Sequence, residues 1–231
     1  MSAARSAALR DGLARVNQRI ATACAEVGRE VGEVQLVVVT KTFPASDIRL
    51  LYDLGVRDVA ENKFQELAMK RAELDGEISP RWHFVGHMQS NKAGAVAEQA
   101  DVVHSIDRLK LVPPMERRGV DLDVLIQVSL DPPSADHRSG VAPERLAELA
   151  AAVAASEHLH LRGLMAVAPL GEAPASAFAR LAEIRGDFLD QHRSATWLSA
   201  GMSGDLEEAI HAGATHVRVG SAVLGSRPPV Q

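Results

Sequence analysis

Strand-like and helix-like segments alternate along this chain almost to its end, and that rhythm constrains the fold more than any single motif. An amphipathic helix comes first. Leu9, Leu13, Val16, Ile20 and Val27 recur at helical spacing among charged residues, unlike the continuous apolar core of a secretion signal. Strand patterns follow at residues 36–39, 56–60, 82–85, 102–105, 124–128, 159–165, 196–198 and 216–219. Helical patterns fall between them. One carries Ile48, Leu51 and Tyr52 and stops near Gly55; others cover 64–74, 93–100 and 106–112, the last ending before Pro113 and Pro114. Pro143 opens a helix with the face Leu146, Leu149, Ala150 and Val153. Phe178, Leu181, Ile184 and Phe188 mark the next, and 206–212 the last.

About eight strands separated by helices imply parallel pairing with right-handed crossovers. The count and the length of 231 residues fit a single (β/α)8 TIM-type barrel better than a doubly wound sheet. No Gly-x-Gly-x-x-Gly follows the first strand, which argues against a dinucleotide-binding fold. No interior linker divides the chain, so one domain is expected over 1–231, with an N-terminal helix in 1–30 and the barrel in 36–225.

Composition excludes several functions. A net charge of −5 and an aromatic content of 3% offer neither a basic field nor a stacking surface for nucleic acid. No apolar stretch is long enough to span a bilayer. Cys24 is the only cysteine, so an internal disulfide and a cysteine-built metal site are ruled out, and a reducing cytoplasm is the expected location.

The chemistry is expected at the C-terminal ends of the strands. Lys41 ends the first one, after Leu36, Val37, Val38, Val39 and Thr40. A partly desolvated amine there is a nucleophile toward aldehydes, or else an ordinary lysine snorkelling from a strand end. The small-residue loop Ser199-Ala200-Gly201-Met202-Ser203-Gly204 follows the seventh strand, and Arg218-Val219-Gly220-Ser221 closes the eighth. Loops in these two places usually hold phosphate in such barrels. An imine-forming lysine and a phosphate cradle on one rim suit a phosphorylated aldehyde. Pyridoxal 5′-phosphate (PLP) fits, and so does a sugar phosphate in an aldolase; the spacing alone does not separate them.

Longer segments carry a resemblance. They are Val39 through Thr42, Glu61-Asn62 with Gln65-Glu66, Trp82 through Lys92, and His104 through Asp107. Val124 through Val128, Gly163-Leu164-Met165, Leu198 through Leu206, and Val217 through Ser221 continue it in order. On these residues the chain resembles the YggS/PROSC family of pyridoxal phosphate homeostasis proteins. The resemblance implies the fold-type III PLP barrel, like the N-terminal domain of alanine racemase, and a PLP Schiff base on Lys41. It implies phosphate contacts at Ser199, Gly201, Met202, Ser203, Gly220 and Ser221, Arg218 near the ring nitrogen, and Asn62 and Met165 on the ring or its edge. Phe43 departs from the family's usual second basic residue, Ala60 from the glycine before Glu61, and the loop 131–138 is proline-rich.

Other candidates are weaker. His83 and His87 are four apart, but Gly86 breaks any helix, so hydrogen bonding near the barrel mouth is expected of His83, not metal binding. Asp121/Asp123 and Glu207/Glu208 read as solvated charge. Six residues follow Gly225, leaving no room for the second domain of a racemase, and Tyr52, the only tyrosine, lies in a helix pattern. The expectation is therefore a non-catalytic monomer that carries or buffers PLP, with PLP-dependent apoenzymes as the recipients it would serve. The alternative is a PLP-dependent racemase-like enzyme.

Overall fold

The computed structural model describes residues 3–131 and 140–226, and its eight strands form a closed parallel barrel in sequence order. The strands are β1 Gln35–Val39, β2 Asp58–Glu61, β3 Arg81–Phe84, β4 Val102–Ile106, β5 Leu122–Gln127, β6 Leu159–Met165, β7 Trp197–Ser199 and β8 His216–Val219. Closure runs through β1 and β8, with Gln35 opposite His216, Leu36 opposite Val217, Val37 opposite Arg218 and Val38 opposite Val219. This is the expected (β/α)8 architecture.

Side chains alternate across each strand, so two layers follow from the sequence. Val38, Val59, Trp82, Phe84, Val103, Val124, Ile126, Leu164, Leu198, Val217 and Val219 are buried in the apolar layers beneath the helices. Their alternates are a different population. Val37, Val39 and Ala60 form one small apolar cluster, and Val102, Leu125 and Met165 form another. His83, His104, Ser199, His216 and Arg218 are buried polar members of the same alternation. A barrel interior with this many polar groups must satisfy them internally.

The N-terminal helix α1, Ala3–Glu26, buries Leu9, Leu13, Val16, Ile20 and Cys24. Each large apolar side chain so buried contributes roughly 1.5–3 kcal/mol. Two arginines fasten it to the barrel's working end. Arg5 holds Asp47 at 2.6 Å and donates to the Leu224 carbonyl at 3.0 Å. Arg19 grips both oxygens of Glu207 and donates to the Ser203 carbonyl at 2.9 Å.

Several boundaries differ from the sequence expectation. Val27 lies beyond α1 and is exposed. Lys41 lies two residues past the end of β1, in a turn. The helix expected over 106–112 is a single 3-10 turn at Leu109–Leu111, and Pro113 and Pro114 fall in the first turn of the helix that follows, α5 at Val112–Glu116, where their missing N–H groups cost nothing. A short helix, α9 at Ser221–Leu224, had no periodic signal. The proline-rich segment 132–139 lies outside the described residues.

Candidate functional site

A cavity of about 480 Å3 opens at the C-terminal ends of the strands. Lys41, Asn62, Met165, Met202, Ser203, Arg218, Gly220 and Ser221, eight of the ten residues expected at a PLP site, line it. Gly86 and His87 from the β3 loop, Phe43, Val167 and Gly204 were not anticipated as lining residues. Among the described residues, no carboxylate lines the cavity, and Lys41 and Arg218 bring basic side chains to it. The electrostatics favour an anionic ligand.

The loops after β7 and β8 meet at this rim. Ser221 Oγ donates to Ser203 Oγ at 3.3 Å, and the Ala222 N–H points to the same oxygen at 3.4 Å. Gly201 makes the first loop possible. Its φ of +88° is left-handed, and a Cβ there would stand 2.6 Å from the Ala209 Cβ. Asp205, buried at the end of that loop, accepts the Met202 N–H at 2.6 Å. On the opposite rim a Cβ at Gly86 would overlap the Asn62 carbonyl at 2.0 Å, so Asn62 is held tightly against the β3 loop.

Two predicted residues are placed elsewhere. Gly201 is buried behind the loop and shapes it without lining the cavity. Ser199 is wholly buried and its hydroxyl is engaged inside the barrel, accepting from Arg218 Nη1 at 2.6 Å. The other Arg218 nitrogen donates to the Ala166 carbonyl at 2.9 Å. Arg218 is thus aimed into the cavity by two interior acceptors. Burial pulls it down to about 10, opposed by Asp205, which leaves the guanidinium charged at neutral pH.

Behind Ser199 runs a line of hydrogen bonds that sequence reasoning missed. Ser199 Oγ meets His104 Nδ1 at 2.8 Å, His104 Nε2 meets His83 Nδ1 at 2.8 Å, and His83 Nε2 meets Asp58 Oδ1 at 2.8 Å. Gln35 Nε2 donates to the other Asp58 oxygen at 2.8 Å. His83 therefore belongs to the barrel interior, not its mouth. Burial lowers both histidines below the usual imidazole range, His104 more strongly because His83 and Arg218 lie near it. Neutral rings fix the direction of the chain. The Asp58 carboxylate only accepts, so His83 donates to it from Nε2 and accepts at Nδ1. His104 then donates from Nε2 and accepts at Nδ1 the one hydrogen of Ser199. Every bond from Arg218 to Asp58 points the same way.

The remaining candidates are structural. Of the carboxylates expected as solvated charge, Asp123 binds Arg81 and Arg162 and Glu207 binds Arg19, whereas Asp121 is exposed beside His158 and His160. Tyr52 lies on α2, Ala45–Asp53, with the Arg57 guanidinium 4.0 Å from its ring centre. Among the described residues no group of three His, Cys, Asp or Glu side chains could hold a metal ion, and no helix is long and apolar enough to cross a membrane.

Comparison with known proteins agrees with this geometry. Residues 13–228 match the family described as alanine racemase, N-terminal domain. The chain belongs to that family of barrels, and within it to the pyridoxal phosphate homeostasis proteins. The protein of that name from Mycobacterium tuberculosis is 40% identical over 245 residues, covering 96% of this chain and 94% of its own. Those from Pseudomonas aeruginosa and Escherichia coli are 43% and 39% identical, covering 94% and 93% of this chain and 95% of each relative. The structure of PipY of Synechococcus elongatus with PLP bound superposes with a TM-score of 0.78 at 33% identity, covering 89% of this chain and all of that one. Alanine racemase from Corynebacterium glutamicum shares the fold alone, with a TM-score of 0.72 at 15% identity over 96% of this chain and 63% of the racemase. The relatives are named as homeostasis proteins, not as enzymes.

Proposed function

We propose that this protein binds pyridoxal 5′-phosphate reversibly and serves PLP homeostasis as a carrier or buffer. The observation that carries the reading is one cavity lined by the basic side chains of Lys41 and Arg218, with a two-serine loop junction at its rim and, among the described residues, no carboxylate in its lining. The bound cofactor supplies an aldehyde. Lys41 would supply the amine that condenses with that aldehyde, with loss of water. Ser203 and Ser221 offer hydroxyls, and their loops offer backbone N–H groups, to the phosphate. Asn62 and Met165 would flank the ring, and Arg218 would lie toward the ring nitrogen and disfavour its protonation, weakening the ring as an electron sink. Gly201 and Ser199 act at one remove, through loop shape and Arg218 orientation.

The same lining supports a non-catalytic role. Racemisation needs a second proton-carrying group opposite the lysine. No tyrosine or carboxylate lines the described cavity, and His87 stands exposed at its rim. A monomer in the cytoplasm that passes PLP to PLP-dependent apoenzymes is the working picture. Titration with PLP and with unphosphorylated pyridoxal tests it. PLP should produce imine absorbance at much lower concentration. Equal binding of both aldehydes would remove the phosphate cradle from the account, and alanine racemisation dependent on Lys41 would replace carrier with enzyme.

A further inference from the structure

Lys41 occupies the second position of a tight turn. The Phe43 N–H donates to the Thr40 carbonyl at 3.1 Å, closing the turn over Lys41 and Thr42. Thr42, the third residue, has φ +70° and is the one non-glycine residue with positive φ among those described. Glycine or asparagine is the usual solution at such a position, because a β-branched side chain is strained there. Something must hold this turn against its own preference.

The holder is a buried ion cluster under the turn. Lys70, on α3 (Phe64–Leu74), is 2% exposed. Its ammonium donates to the Thr40 carbonyl at 2.9 Å and to Glu61 Oε1 at 2.7 Å, and it lies 3.4 Å from Glu66 Oε2. Thr40 Oγ1 donates to Glu61 Oε1 at 2.6 Å. Glu66 Oε2 accepts the Thr42 N–H at 2.8 Å. The residues before and after Lys41 are therefore both tied to one cluster. Burial tends to raise Glu66, yet the Thr42 N–H and Lys70 hold it below the ordinary carboxylate range, so it accepts as the anion.

We infer that Lys70, Glu61 and Glu66 are positioning residues: they clamp the 40–43 turn in its strained form and so aim Lys41 into the ligand cavity. The clamp also distinguishes two neighbouring lysines. Lys70 spends its hydrogens on three oxygens and is occupied as a cation, while Lys41 is left to face the cavity. The inference rests on Lys41 being the PLP-binding amine.

The test compares Glu66→Ala, Glu66→Gln and the double variant Glu66→Ala/Thr42→Gly with the parent protein. PLP affinity is read from imine absorbance, and hydrogen exchange of the 40–43 peptide is read without cofactor. Glu66→Ala should weaken PLP binding by roughly five- to fifty-fold, the scale of losing control over one strained residue. It should also speed exchange of that peptide, with little change in melting temperature. Glu66→Gln keeps an acceptor oxygen and should recover part of the affinity. Glycine at 42 accepts the left-handed conformation without help, so the double variant should recover most of it. Parent-like affinity in Glu66→Ala, or a loss that glycine leaves unrepaired, would overturn the clamp. If the parent forms no adduct on Lys41, the assignment of Lys41 fails instead, and unchanged exchange in Glu66→Ala would separately refute the clamp.

Discussion

Arg218 Nη1 donates to Ser199 Oγ across 2.6 Å in the sealed interior of the barrel, and that bond joins the ligand cavity to a directed chain ending at Asp58. A charged donor at one end and a carboxylate at the other leave one arrangement of protons between them. His83 and His104 should both be neutral Nε2–H tautomers at pH 7, as read by nitrogen-15 chemical shifts of the two rings. An imidazolium, or an Nδ1–H tautomer at either ring, would contradict the chain as assigned.

The clamp beneath Lys41 also has a stability signature. Lys70→Met leaves the buried Glu61 without its cation, and removing one partner of such a pair costs about 3–5 kcal/mol. Lys70→Met with Glu61→Leu removes both charges and should recover much of that loss in denaturant unfolding. If the double variant is as unstable as the single one, the pair's charge is not what the fold depends on at this point.

Acid should destabilise the protein through its buried histidines. His83, His104 and His216 are all lowered by burial, His216 to about 4. An imidazole whose folded value lies below its unfolded value near 6.5 binds more protons when unfolded. Its contribution is therefore fully present above about pH 6.5 and is lost as pH falls toward the folded value. Unfolding free energy should drop between pH 6.5 and 4, by up to ~1.4 kcal/mol per pH unit for each histidine. His216→Phe should flatten that slope. A flat profile in the parent protein over this range would refute the neutral assignment.

The cradle prediction separates retention from covalent chemistry. Ser203→Ala with Ser221→Ala should weaken PLP binding by on the order of a hundredfold or more while leaving the Lys41 adduct possible at high PLP, since two charge-assisted hydrogen bonds are lost. Arg19→Met acts on the same loop from α1, by releasing the Ser203 carbonyl, and should weaken retention in the same direction. Undiminished affinity in both variants would place the phosphate elsewhere.

The barrel was legible because parallel strands buried on both faces read as continuous apolar runs such as Val37-Val38-Val39, and because the helices between carry clear apolar faces. Eight of the ten predicted site residues line one cavity because strand ends of such a barrel converge on one rim. The interior chain was not legible. Asp58, His83, His104 and Ser199 stand on four strands, up to 141 positions apart in sequence, and only ring closure brings them into line. The family resemblance implies a phosphate contact at Ser199, whereas its side chain belongs to the inward layer and is engaged by Arg218. The clamp escaped for a different reason. Lys70 sits in a helix pattern where lysine ordinarily faces water, and nothing in a single sequence marks it as buried.

The most direct test of the account is borohydride reduction of the protein loaded with PLP, followed by peptide mapping in a mass spectrometer. A phosphopyridoxyl adduct is expected on Lys41, which lines the cavity, and none on Lys70, which is buried beneath it and engaged by three oxygens. An unmodified Lys41 after incubation with excess PLP, or an adduct on another lysine, would contradict it.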